Sequence, residues 1–126
     1  MDTTILRKFS EWLNQYLVLE LPKEIKAFNF NLYEEEEEYH VQLIGSETLP
    51  EEDDDWACDE IFTTGENIFI IANEQTGDTW EEGLRFIIEL VKKYLVHGKF
   101  TEKLKSVGVV GVGFVDGDIE IVYQKK

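Results

Sequence analysis

Cysteine is almost missing from this 126-residue chain, with Cys58 standing alone. No internal disulfide can form, and a solitary thiol fits a reducing compartment better than a secreted protein. Cys58 also sits among acids, which disfavour its thiolate and argue against a nucleophile. Histidine is as scarce: His40 and His97 are the only two. They lack metal-ligand spacing, so no zinc site is expected. No apolar run approaches a membrane span. The first twenty residues interleave charge with apolar side chains and have no signal-peptide core. These absences together predict a cytoplasmic protein without a cofactor.

The most telling absence is of positive charge. Residues 27–84 hold eighteen Asp and Glu and no Lys or Arg, and all twelve basic residues lie outside that window. The formal net charge is −15 and the pI is near 4.4. Such a balance excludes nucleic acid as a direct ligand, because that binding needs cations to displace counterions. It excludes an anionic membrane surface for the same reason. A field of this size costs stability through self-repulsion, and complementary potentials steer protein association. A positively charged protein partner is the expected occupant; general solubility is the plainer explanation.

What is present is enough for one domain spanning residues 1–126. Apolar residues make up 43% and aromatics 13%, so a sizeable core is possible and global disorder is not expected. Ile5, Leu6, Phe9, Trp12, Leu13, Tyr16 and Leu17 recur at helical spacing, with Asp2 or Thr3 as cap and Pro22 beyond the end. Phe28, Phe30 and Leu32, then Tyr39, Val41 and Leu43, alternate as two strands of a hairpin. Between them Glu34, Glu35, Glu36, Glu37 and Glu38 repel one another and belong at a solvated tip. Residues 45–65 read as a long connection carrying Glu51, Glu52, Asp53, Asp54, Asp55, Trp56, Asp59 and Glu60. Residues 68–71 are apolar on both faces and read as a central strand.

Thr79 with Glu82 marks a helix start, and Trp80, Leu84, Ile87, Ile88, Val91, Tyr94 and Leu95 follow at helical spacing up to Gly98. Residues 100–106 suit one further turn. Two closing strands flank Asp116-Gly117. The order α-β-β-β-α-β-β predicts an α+β fold, with a five-stranded, mainly antiparallel sheet and both helices on one face.

Catalytic and metal readings find little footing. The glycines at 108, 111 and 113 lie inside a hairpin pattern, not at the strand-to-helix turn that cradles phosphate. Asp53, Asp54 and Asp55 do not match an EF-hand loop, and adjacent residues of an extended run point to opposite sides. No carboxylate pair is singled out for hydrolysis. A recognition surface remains. Its expected partner-binding residues are Glu34, Glu35, Glu36, Glu37 and Glu38 with Glu51, Glu52, Asp53, Asp54, Asp55, Asp59 and Glu60. Trp56 is the candidate aromatic anchor within it, and a core plug under the loop is the structural alternative.

The segment Asp-Asp-Trp-Ala-Cys-Asp-Glu-Ile-Phe at 54–62, the Trp-bearing second helix and the hairpin Val-Gly-Val-Gly-Phe-Val-Asp-Gly-Asp-Ile-Glu at 110–120 give the chain a familiar layout. It resembles bacterial immunity proteins, the antidotes of polymorphic and contact-dependent growth-inhibition toxins. The resemblance covers most of the chain in layout and assigns no subfamily. It implies a stoichiometric, non-catalytic inhibitor of a cognate toxin domain, often a basic nuclease. The alternatives are an acidic binding module or nucleic-acid mimic acting on another basic protein, and a carboxylate-based hydrolase. The hydrolase would need a concave pocket with convergent acids.

Overall fold

A computed structural model describes residues 3–125. Its first helix, α1, spans Thr3–Leu17 and buries Ile5, Phe9, Trp12, Leu13 and Leu17, the face that the spacing predicts. Asp2 lies outside the described residues, and Thr3 is already helical. Strands β1 (Ala27–Glu35) and β2 (Glu38–Ser46) form the predicted hairpin, in register from Ala27 opposite Ser46 to Glu35 opposite Glu38.

The sheet differs from the expected one. It is mixed, has six strands, and runs β3-β2-β1-β5-β6 with β4 also on the outer edge of β2. Strand β5 (Val109–Phe114) lies parallel to β1, and β6 (Ile119–Gln124) closes antiparallel to β5. The predicted long connection contains an additional strand, β3 (Glu60–Thr63), which pairs the end of β2. Strand β4 (Phe69–Ala72) pairs only the start of β2 and is an edge, not the centre. Ile70 is accordingly 52% exposed, while Ile71 is buried. The apolar run misled because Phe69 and Ile71 alone serve the core. The centre falls to β1, whose alternate residues meet β2 and β5.

One face of the sheet carries the main core. Phe28, Phe30, Leu32, Val41, Leu43, Val110 and Val112 meet side chains from α1, from α2 (Trp80–His97) and from Leu104 of α3 (Thr101–Lys105). Burying a Leu- or Phe-sized side chain contributes about 2 kcal/mol, so this cluster dominates stability. Thr79 caps α2 as its pattern predicts: its Oγ1 accepts from the Glu82 amide at 3.2 Å. Gly83 lets the helix approach the sheet, since a Cβ there would stand 2.5 Å from the Tyr39 ring. Among the described residues no helix is long and apolar enough to cross a membrane.

The other face carries a smaller cluster of Ala27, Trp56 and Val109, with Leu49, Ala57 and Ile119 packed on it. Beside it runs a polar row. Asn29 Nδ2 donates to Asn31 Oδ1 at 2.6 Å, Asn31 Nδ2 to Gln42 Oε1 at 3.3 Å, and Gln42 Nε2 to the Gly65 carbonyl at 3.1 Å. Buried polar groups demand such partners.

Candidate functional site: an acidic pole around Trp80

Parallel pairing of β1 and β5 brings two turns to the same end of the sheet. The β1–β2 turn ends there at Glu36 and Glu37, and the β5–β6 turn carries Asp116 and Asp118. The end of β4 joins them, where the Asn73 amide donates to the Glu37 carbonyl at 3.0 Å. A 3₁₀ turn at Asn73–Gln75 and the start of α2 follow, carrying Glu74, Asp78, Glu81 and Glu82. The Tyr39 hydroxyl donates to the Thr79 carbonyl at 3.2 Å and ties this helix start to β2. Burial holds the Tyr39 phenol above its ordinary value, and the charges of Glu34, Glu82 and Glu81 push it further up. Carboxylates from the hairpin and the helix thus act on one group. The positive end of the α2 dipole faces this pole and offsets part of the repulsion.

Glu34, Glu35, Glu36 and Glu37 are exposed. Among the described residues, none of their side chains makes an ion pair or hydrogen bond. Glu38 differs, being half-buried with its Oε1 2.7 Å from His40 Nε2. Glu37 sits at φ 64, a left-handed conformation that a residue with a Cβ adopts at a cost.

Within the pole lies a cleft of about 510 Å³, lined by Leu32, Tyr33, Glu34, Glu35, Trp80, Phe114, Val115, Asp116 and Gly117. Trp80 is 52% exposed and Val115 54%. Phe114 stands between the Trp80 and Tyr39 rings, at 6.1 and 6.0 Å between centroids. An aromatic row therefore runs from the buried Tyr39 out to the surface at Trp80. Helical spacing places Trp80 on the same stripe as the buried residues of α2, but its indole packs against Phe114 at the end of β5 and stays half-exposed at the cleft. The signal for this was its place directly after the Thr79 cap.

The second acidic segment is elsewhere. The loop 47–59 leaves β2 at Ser46, opposite Ala27, roughly 27 Å of strand away from the tip at about 3.3 Å per residue. Three of its carboxylates are used internally. Glu52 Oε1 accepts from the Leu49 amide at 3.0 Å and from Lys26 Nζ at 3.2 Å, and Asp53 Oδ1 accepts from the Asp55 amide at 2.9 Å. Asp59 Oδ2 accepts from Thr48 Oγ1 at 2.8 Å. The Leu49 amide and then Lys26 hold the Glu52 carboxyl below its usual range. Glu51, Asp54, Asp55 and Glu60 are exposed along the same end.

Trp56 corrects the expected anchor. It is 4% exposed in the cluster with Ala27 and Val109, and its carbonyl accepts from the buried Ser46 Oγ at 2.6 Å. It pins the loop to the sheet, because a large apolar ring gains more from burial than from display. Among the described residues, no cluster of three or more His, Cys, Asp or Glu groups is arranged to hold a metal ion. No family model matches the chain, and neither does any curated protein or solved structure.

Proposed function

We propose that this chain is an immunity-type protein: a stoichiometric, non-catalytic inhibitor that docks its acidic pole onto a basic toxin domain. A nuclease is the simplest such target, because its cleft is built to attract phosphate and a cluster of carboxylates presents the same charge. One observation carries the reading. Unpaired Glu34 and Glu35 of the hairpin meet Asp116 of the β5–β6 turn around the half-exposed Trp80, and Glu81 and Glu82 of the α2 start act with Glu34 on the neighbouring Tyr39. An aromatic ringed by charge is the composition that interface hot spots favour. Of the residues expected from the chain alone, Glu34, Glu35, Glu36, Glu37 and Glu38 belong to this face. The loop acids at 51–60 stand at the other end, where Glu52, Asp53 and Asp59 accept hydrogen bonds and Glu51, Asp54, Asp55 and Glu60 are exposed.

The test is co-expression with the toxin domain encoded beside this protein. The expected result is a 1:1 complex, restored growth, and an association rate that falls steeply with salt. Replacing Glu34, Glu35 and Glu36 together by Gln should slow association about tenfold at low salt, a change of about 1.4 kcal/mol in activation free energy. Replacing Asp53, Asp54 and Asp55 by Asn should change it less than about twofold. Equal effects of the two triple substitutions would remove the pole from the interface.

A further inference from the structure

We infer that the cleft beside Trp80 is the seat of one arginine side chain supplied by the partner; this rests on the docking reading above. The walls of the cleft differ in chemistry. Trp80 and Phe114 offer aromatic rings, while Glu34, Glu35 and Asp116 supply carboxylates, and among the described residues no Lys or Arg lines it. Rings attract a cation to their faces, and carboxylates pair with it at the rim. The two demands together select a guanidinium over an ammonium. A planar guanidinium stacks on an indole while its N–H fork grips a carboxylate, whereas an ammonium is a compact, strongly hydrated point charge. An anionic occupant is repelled, and a purely apolar one leaves the carboxylates without a partner.

The aromatic wall is also held in place before anything binds. Phe114 is wedged between Trp80 and the buried Tyr39, with ring contacts on both sides. Little side-chain freedom remains to be lost on binding, which is the condition for a hot spot. Trp12 and Trp56 are buried at 5% and 4%, so Trp80 is the one tryptophan of the three that a ligand can reach.

The probe is acetyl-arginine-methylamide, with its citrulline isostere as the uncharged control. The readout is the indole N–H resonance of Trp80 during titration. Arginine should shift that signal saturably, with a dissociation constant on the order of 10 mM or tighter for a single stacked and paired guanidinium. The citrulline analogue should leave it at least tenfold weaker, and the lysine analogue should fall between. Glu34→Gln with Glu35→Gln should weaken arginine about tenfold while leaving the Trp12 and Trp56 signals in place, which reports an intact fold. An unsaturable shift, or equal shifts from arginine and citrulline, overturns the inference. The two readings separate cleanly. If Trp80→Ala leaves toxin affinity intact while the Glu34, Glu35 and Glu36 substitutions abolish it, the arginine seat falls and the docking face stands. If the probe binds as expected and no toxin complex forms, the docking reading falls and the guanidinium site remains.

Discussion

Residues 34–38 and residues 51–55 are each five adjacent carboxylates, yet they occupy opposite situations in the fold. At the loop, Glu52 and Asp53 accept backbone amides and Glu52 also meets Lys26, while Trp56 anchors the segment to the sheet. At the tip, Glu34, Glu35 and Glu36 have no such partners, and acids from other elements are added to them. Two carboxylates of the loop run are spent on local structure, while Glu34, Glu35, Glu36 and Glu37 of the tip are all left facing solvent. A charge run in a sequence therefore says little about recognition until its hydrogen-bond partners and its neighbours in space are known.

Trp56→Ala probes the anchored region most severely. Losing a buried tryptophan should cost about 3 kcal/mol of unfolding free energy. Amides of the loop and of the adjacent ends of β1 and β5 should lose exchange protection before those near Trp80. A loss under about 1 kcal/mol in denaturant titration would mean that the loop does not depend on this ring. Gly83→Ala tests the mounting of the pole. Alanine normally stabilises a helix interior, but here its Cβ meets the Tyr39 ring at 2.5 Å, so a loss of about 2 kcal/mol is expected. A gain would show that α2 can retreat from the sheet at no cost.

Smaller effects separate the two acidic runs by sign. Glu37→Gly relieves the left-handed backbone at φ 64 and should raise stability by about 0.5–1 kcal/mol. Gln at 34, 35 and 36 should also stabilise, by about 0.5 kcal/mol at low salt, with the gain vanishing as salt rises. Asp53→Ala should instead destabilise by about 0.5 kcal/mol, since it removes an acceptor from the Asp55 amide. Equal signs in thermal melts would erase the distinction drawn between the regions.

The smallest expected effect is alkaline. The Tyr39 phenol is raised above its ordinary value of 10.0 by burial and by Glu34, Glu82 and Glu81. The folded state thus holds the phenol proton more tightly than the unfolded one. Its contribution is fully present below pH 10 and is lost as pH rises through the folded-state value. Tyr94, raised chiefly by burial, acts in the same direction. Tyrosinate absorbance should show a late-titrating class, and Glu34→Gln should move the Tyr39 transition to lower pH.

Local pattern made much of the fold legible. The apolar spacing of α1, the alternation of the first hairpin and the Thr79 cap of α2 each follow from residues a few positions apart. Legibility failed where a residue's neighbours are distant in the chain. The edge position of β4 arises because β2 has a free side there, and the parallel β1–β5 pair depends on how α2 returns the chain. For Trp56 the sequence left plug and anchor open, and burial against Ala27 and Val109 selected the plug. Trp80 shares the apolar spacing of α2 yet stays 52% exposed, because spacing reports which side of a helix is apolar, not how fully each position on it is covered.

The chain's order of residues settled its negative charge, the absence of a cation between Lys26 and Arg85, and the identity of its main helices and hairpins. These follow from composition and short-range periodicity, which any conformation of the chain carries. Tertiary structure alone decided which carboxylates share a pole, which are consumed by backbone amides, and which tryptophan reaches solvent. Those are matters of distance between residues far apart in sequence, and distance is what folding supplies.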